Sequence, residues 1–287
     1  MSVTVNGITK KYDRITVDNI SFELEKNNPY AILGRNGSGK STIIKIMLGL
    51  KKPTCGQVNI SKDLKIGYLP EERGIYYDST VDEHLDLFAK LSHIKKIEPV
   101  KKYWLERLEL EKFKDLKLKF LSKGTAQKVQ LAITLINDPD LIILDEPFSG
   151  LDPINMSLFI DVIKEKSVDK YTIISSHQMN QVEGLCKEVL FLNQGRVVAQ
   201  GKINDLKEKY GCNKIRVPYN EELQKELFDF STYQEGNELI IKAGYQEKDY
   251  KRILRKIMDK NLDLSYLHYD NIALNDLFIQ LLGGDCY

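Results

Sequence analysis

Between the apolar run Tyr30-Ala31-Ile32-Leu33 and a helically spaced apolar stretch from Ser41 to Leu50 lies Gly34-Arg35-Asn36-Gly37-Ser38-Gly39-Lys40-Ser41-Thr42. The run fits G-x-x-x-x-G-K-[ST] in the context that gives this pattern meaning, a strand before it and a helix after it. Glycines let the backbone turn tightly enough for several N–H groups to point inward at phosphate oxygens. The helix that starts near Lys40 adds the positive end of its dipole. Gly34, Asn36, Gly37, Ser38 and Gly39 are therefore expected to cradle the phosphates of a nucleoside triphosphate. Lys40 is expected to reach the β- and γ-phosphates as a point charge, Ser41 to ligate Mg²⁺, and Thr42 to hydrogen-bond the α-phosphate.

A second constellation follows at Leu141-Ile142-Ile143-Leu144-Asp145-Glu146, an apolar strand ending in two carboxylates. A buried strand carries such a pair to its edge only at some cost, and a cation or a reaction explains it. Asp145 is placed to hold Mg²⁺ and Glu146 to act as the general base that polarises an attacking water. Such a base contributes roughly 10²–10⁴-fold to a rate.

The elements that must carry these residues read as an α/β fold around a largely parallel sheet, because short β-branched runs alternate with longer helical patterns. Val3 to Val5 and Ile20 to Leu24 alternate like antiparallel edge strands. From about residue 80 to 120 strand signals vanish, lysines multiply, and Leu85, Phe88, Leu91, Trp104, Leu105 and Leu108 recur at helical spacing; Pro99 is expected to split this stretch into at least two helices. The lysines read as a solvated outer face. Strand patterns return at Leu141 to Leu144, Thr172 to Ile174, Val189 to Leu192 and Arg196 to Ala199. After Tyr210-Gly211 a second, α+β unit begins. It has strands near Ile215 to Val217, Leu239 to Lys242 and Leu262 to Leu267, and helices near Glu221 to Phe228, Glu247 to Met258 and Leu274 to Leu282. The last helix is apolar and needs a cover, which favours a role for this unit in supporting a dimer.

Composition bounds the rest. Apolar residues at 42% and charged residues at 29% are those of a globular protein, and a net charge of +1 gives no general pull toward nucleic acid or acidic lipid. No window approaches the roughly 18 consecutive apolar residues of a membrane span. Residues 1–10 lack a signal pattern, so the chain is expected in the cytosol. Cys55, Cys186, Cys212 and Cys286 are scattered without metal-ligand spacing and read as reduced structural thiols.

Over about residues 1 to 205 the chain resembles the nucleotide-binding subunits of ABC transporters, with the family's landmarks in the family's order. Tyr12 stands where the adenine-stacking aromatic lies, and Gly34 to Thr42 is Walker A. Leu121-Ser122-Lys123-Gly124-Thr125 occupies the signature position, Asp145 and Glu146 close Walker B, Ser149-Gly150-Leu151-Asp152 is the D-loop, and His177 is the switch histidine. The resemblance implies a P-loop NTPase core with an antiparallel β subdomain and a helical subdomain (about 72–135) within a cassette of residues 1–210, followed by the accessory unit at 211–287. It implies ATP and Mg²⁺ as ligands. It also implies a second ATPase subunit, identical or different, that contributes Ser122, Gly124 and Asp152 to ATP held by its partner. His177 is implied to contact the γ-phosphate and orient the catalytic water. His84, His93 and His268 match no landmark and read as structural.

Three residues in two motifs depart from the family pattern. Lys123 and Thr125 replace a glycine and the glutamine of Leu-Ser-Gly-Gly-Gln, and Glu71 in Tyr68-Leu69-Pro70-Glu71-Glu72-Arg73 replaces the Q-loop glutamine. Glu71 is still expected in the ATP site, where a carboxylate can ligate Mg²⁺. Tyr-Leu-Pro-Glu-Glu-Arg-Gly, Leu-Ser-Lys-Gly, Ser-Ser-His-Gln-Met and Leu274-Asn275-Asp276-Leu277-Phe278 are similar to the exporter branch of sodium-extruding and daunorubicin-resistance ATPases. That likeness implies export through a separate polytopic membrane subunit, with this chain peripheral on the inner face of the membrane and no nucleic-acid partner. The competing reading is a soluble ABC-type ATPase of translation or DNA repair. It is disfavoured because only one Walker A is present and the stretch from Lys40 to Ser122 leaves no room for a long coiled coil.

Overall fold

The computed structural model describes the chain except for residues 1, 13–14, 73, 245–246, 261, 263–265 and 284–287. It divides into two compact units, Met1–Val197 and Val198–Tyr287.

In the first unit β1 (Val3–Lys11) pairs antiparallel with β2 (Ile15–Leu24), Val3 opposite Leu24 and Val5 opposite Phe22. β3 (Tyr30–Leu33) leads through the glycine-rich loop into α1 (Lys40–Met47), and β4 (Cys55–Ile60) returns to the free side of β1. β1 is thus the middle of a three-stranded sheet, not an edge. The pattern of β4 hides it, since its first three residues are exposed and Gly56 sits at φ 81°. A Cβ on Gly56 would fall 2.3 Å from the Gly7 carbonyl oxygen, so only glycine lets the two strands approach.

The main sheet takes β5 (Ile66–Leu69), β6 (Leu141–Asp145), β7 (Tyr171–Ser176), β8 (Glu188–Asn193) and β9 (Arg196–Lys202) in the order β5-β6-β7-β3-β8-β9. β5 with β6, β6 with β7, β7 with β3 and β3 with β8 pair in parallel. Every residue of β3, β6 and β7 is buried, as strands covered on both faces require, and this is why they read as unbroken apolar runs. The register sets Leu33 beside Ser176 and Asp145 beside Ser175, so three carboxyl-terminal strand ends open on one crevice.

The helical part begins with α2 (Val81–Leu91), whose N-terminus is closed by a reciprocal capping box: Thr80 Oγ1 accepts from Glu83 N–H at 3.2 Å and Glu83 Oε2 accepts from Thr80 N–H at 2.8 Å. α3 (Ile97–Arg107) follows, with Leu85, Trp104 and Leu105 buried. Pro99 does not make the break between them. It is the third residue of α3, where a missing N–H costs no helical bond, and the chain turns earlier through His93 at φ 57°. The lysines face acids: Lys101 donates to Asp82 at 2.8 Å and Glu98 at 3.2 Å, Lys114 to Glu111, and Lys119 to Asp78. α4 (Lys123–Leu135), α5 (Pro153–Lys166) and α6 (Met179–Glu183) complete the unit. α4 packs on β5 at Gly67, where a Cβ would lie 2.4 Å from the Thr134 carbonyl oxygen.

The second unit holds α7 (Ile203–Tyr210), β10 (Cys212–Pro218), α8 (Glu221–Glu226), β11 (Ser231–Glu235), β12 (Glu238–Gly244), α9 (Glu247–Asp259), β13 (His268–Asp270) and α10 (Leu274–Leu281). Its sheet is antiparallel, ordered β11-β12-β10-β13. Ile215, Val217, Leu239 and Ile241 from the strands meet Leu223, Ile253 and Ile257 from the helices in one core. Residues 263–265, within the strand expected at Leu262 to Leu267, lie outside the described residues, as does Cys286; the described strand starts at His268. Cys55 is an exposed free thiol and Cys186 a buried one. The unit starts ahead of the Tyr210-Gly211 junction because α7 packs against α10. Leu274, Leu277 and Phe278 are buried within the chain, so the apolar face of α10 already has a cover and the premise for a dimer role of this helix falls away.

His84 on α2 supplies a test of the packing. It is fully buried, 4.9 Å from the Phe88 ring and 5.8 Å from that of Tyr76, and its Nε2 has no hydrogen-bond partner. Burial pushes its pKa down to about 4 from the ordinary 6.5. Between those values the unfolded chain binds more protons than the folded one, so stability is lost as pH falls from about 6.5 to 4. His84→Phe is expected to flatten the fall of the urea midpoint over this window; parallel curves for the two proteins would contradict the assignment.

Candidate functional site

The loop after β3 is shaped by demands that only glycine meets. A Cβ on Gly34 would sit 2.3 Å from the Leu192 carbonyl oxygen of β8. Gly37 and Gly39 lie at φ 77° and 112°, in the left-handed region. Gly39 is also the N-cap of α1 and no side chain caps that helix; the Thr42 N–H donates to the Gly39 carbonyl at 3.0 Å, and the N–H groups ahead of it are left to an anion. Thr16, Asn36, Gly37, Gly39, Lys40, Ser41, Thr42, Glu71 and Glu146 line a cavity of about 330 Å³ over this loop.

Charges meet at its floor. The buried Lys40 Nζ donates to the Gly34 carbonyl at 2.8 Å and lies 3.1 Å from Glu146 Oε1, an ion-pair distance off the direction of a hydrogen bond. Glu146 Oε2 accepts from the His177 N–H at 3.2 Å and is 2.8 Å from His177 Nδ1. Ser41 Oγ donates to Asp145 Oδ1 at 3.3 Å, and Ser175 Oγ makes a short bond to the same oxygen while accepting from Glu146 N–H at 3.1 Å. Burial raises the Asp145 carboxyl above the usual carboxylate range and the Glu146 charge adds to this, against the hydrogen bonds from Ser175 and Ser41. Glu146 itself stands at φ 52°, a conformation costly for a side chain of its size and concentrated at functional sites.

The arrangement fits a metal-bound polyphosphate. Ser38 Oγ and Glu146 Oε1 are buried without hydrogen-bond partners, uncapped helix N–H groups and Lys40 face the loop, and Ser41 with Asp145 offers hard oxygens of the kind Mg²⁺ takes. Thr16, Tyr68 and Ser175 are additions: Thr16 lies in no motif, and Tyr68 and Ser175 lie in motifs that assign them no place in the site. The Tyr68 hydroxyl is pushed up to about 12 by burial and then by the Asp145 and Glu71 carboxylates, which sets both acids near it.

Eight expected residues do not line the cavity: Gly34, Ser38, Asp145 and His177, which bond to or adjoin its lining residues, and Tyr12, Ser122, Gly124 and Asp152. Tyr12 is half-exposed, with Lys51 Nζ donating to its hydroxyl at 2.7 Å and the ammonium groups of Lys10 and Lys51 about 5 Å from its ring. Ser122 and Asp152 are the N-caps of α4 and α5. Thr125 occupies the Ser122 hydroxyl, its N–H donating at 3.2 Å and its Oγ1 bonding at 2.9 Å. Asp152 accepts from Ile154 N–H, Asn155 N–H and Asn155 Nδ2. The two helix starts are neighbours, since a Cβ on Gly124 would come 3.2 Å from Asn155 Nδ2, and Lys123 lays its side chain over Gly150.

The family model described as ABC transporter matches residues 17–149. An uncharacterised ABC transporter ATP-binding protein of Methanocaldococcus jannaschii is 44% identical over 72% of this chain and 80% of its own. A zinc import ATP-binding protein of Rickettsia conorii is 35% identical over 71% of this chain and 88% of its own, and a Nod factor export ATP-binding protein I of Cupriavidus metallidurans is 32% identical over 98% and 97%. The solved structure of an ATP binding subunit of an ABC transporter superposes with a TM-score of 0.67 at 27% identity, over 74% of this chain and 94% of that one.

Ser175 serves both carboxylate residues through one hydroxyl. Ser175→Ala leaves a buried Asp145 oxygen short of a donor, and a drop of about 1–3 kcal/mol in unfolding free energy is expected by urea titration. An unchanged midpoint would show that these bonds do not hold the site.

Proposed function

The chain belongs to the ABC transporter family as an ATP-binding, ATP-hydrolysing subunit, and on that premise we propose that it drives export by closing on ATP with a second copy beneath a separate membrane subunit. The observation that carries the export reading is the relative named for export, whose match takes in 98% of this chain and hence the second unit, against 71% for the relative named for zinc import. Among the described residues no helix is long and apolar enough to cross a membrane. Moving cargo then falls to the partner, with this chain lodged on its cytoplasmic side.

In this reading Tyr12 stacks on the adenine and Gly34 through Thr42 hold the phosphates. Lys40 leaves Glu146 for the β- and γ-phosphates, where it meets more negative charge. Ser41 and Asp145, with Glu71 nearby, would hold Mg²⁺, which would supply neutralisation of phosphate charge. Glu146, released from the ammonium and held by His177, accepts a proton from water as the water oxygen bonds to the γ-phosphorus. The bond to the β–γ bridging oxygen breaks, ADP leaves, and the proton passes to the phosphate product. His177 steers the water and the γ-phosphate.

Ser122, Gly124 and Asp152 lie away from the cavity of their own chain, and we assign them to the nucleotide of the second copy. One chain carries both halves, a complete phosphate loop and a signature serine and glycine, so a second copy suffices to finish two sites. ATP favours the closed pair by binding it more tightly than the open one, and hydrolysis removes that preference.

Glu146→Gln is expected to bind ATP, to slow hydrolysis about 10²–10⁴-fold, and to form a stable dimer with ATP in light-scattering chromatography. Unimpaired turnover, or a monomer at saturating ATP, would overturn the reading. In membrane vesicles with this chain outward, ATP is expected to drive cargo inward; ATP-driven release would make it an importer.

A further inference from the structure

We propose that Glu71 strengthens the dependence of nucleotide binding by this chain on a divalent cation, so that a triphosphate is accepted as its metal complex in preference to the bare anion. The proposal rests on the ATP reading above and adds a specificity-determining residue to it.

The charge balance of the cavity carries the argument. Lys40, Glu71 and Glu146 are its charged lining residues. The Lys40 ammonium is already matched by Glu146 at 3.1 Å, so Glu71 stands as an extra negative charge. Among the described residues no ammonium or guanidinium pairs with it, whereas nearby acids such as Asp78 and Asp82 each hold a lysine. Asp145 lies behind Ser41 at 3.3 Å and adds a further carboxylate. The fields of Glu71 and Asp145 converge on the Tyr68 hydroxyl, both acting to keep it protonated.

A bare triphosphate brings its own negative charges to a crevice whose one lining cation is shared. Coulomb repulsion at the rim then opposes entry, weakened but not removed by solvent. A divalent ion reverses the sign: set between the phosphate oxygens and the carboxylates, it turns each repulsive pair into two attractive ones, and oxygen donors are what a hard cation takes. The family pattern that this chain resembles has a neutral glutamine at this position. An amide can ligate a metal through its oxygen but does not repel a metal-free phosphate. The difference between glutamine and Glu71 therefore lies less in how well the complex binds than in how badly the free anion does.

The test compares the whole chain with Glu71→Gln, using a non-hydrolysable ATP analogue at fixed ionic strength, with saturating Mg²⁺ or with EDTA. Removal of Mg²⁺ is expected to weaken binding to the unaltered chain about tenfold more than to Glu71→Gln, the size of one partly screened charge at close range. Equal loss in the two proteins would overturn the proposal while leaving ATP binding intact. Absence of binding in both proteins even with Mg²⁺ would overturn the ATP reading, and the proposal with it. As a second readout without nucleotide, electron paramagnetic resonance of added Mn²⁺ is expected to show weaker retention by Glu71→Gln; identical titrations would count against a metal-directed role.

Discussion

A lysine ammonium buried at the head of α1 is tolerable only because oxygens reach it, and in this chain they come from two places. The Gly34 carbonyl belongs to the same loop, and Glu146 belongs to the end of β6. A buried charge stripped of either partner would be strongly destabilising, so this contact ties the phosphate loop to the strand that carries the reacting carboxylates. Glu146 is held from the other side by His177 and from its backbone by Ser175, in a left-handed conformation that its surroundings must impose. The chain thus keeps Lys40 and Glu146 against each other. In the proposed reaction phosphate competes for the lysine, and its arrival frees Glu146 to act as base.

That contact was partly legible in the residues. The loop pattern located Lys40 and the strand-end acids located Asp145 and Glu146, because motifs of this kind are local and their backbone demands are written in glycines. The parallel core was legible for the same reason that β3, β6 and β7 are apolar throughout: both their faces are covered. Ser175 and Thr16 could not be read, since their roles come from which strand ends and loops lie side by side, and that depends on the order β6-β7-β3 rather than on anything near them in sequence. β4 was hidden by exposed polar residues around a close-approach glycine. Pro99 misled because a proline signals a break only outside the first turn of a helix. The cover on α10 is supplied by α7, a contact between segments far apart along the chain.

The positions where Ser122, Gly124 and Asp152 sit have a consequence for the mechanism. They gather at the neighbouring starts of α4 and α5, while the cavity is lined by the loop, Glu71 and Glu146. Two sets of residues that do not share a cavity are what the proposed division of the site between subunits requires, and in that reading a closed pair brings each set to the other's nucleotide. Thr125 satisfies the Ser122 hydroxyl within the chain, so in the proposed closure that hydroxyl would exchange this partner for phosphate.

The division of the site between copies is the central claim, and mixing two disabled proteins tests it most directly. Lys40→Ala removes one half of the site and Ser122→Arg blocks the other, and each protein alone is expected to hydrolyse no ATP. In a mixture, half-and-half dimers pair the intact loop of one chain with the intact signature of the other, and turnover should return as the share of mixed dimers rises. A mixture no more active than its separate components would contradict the account.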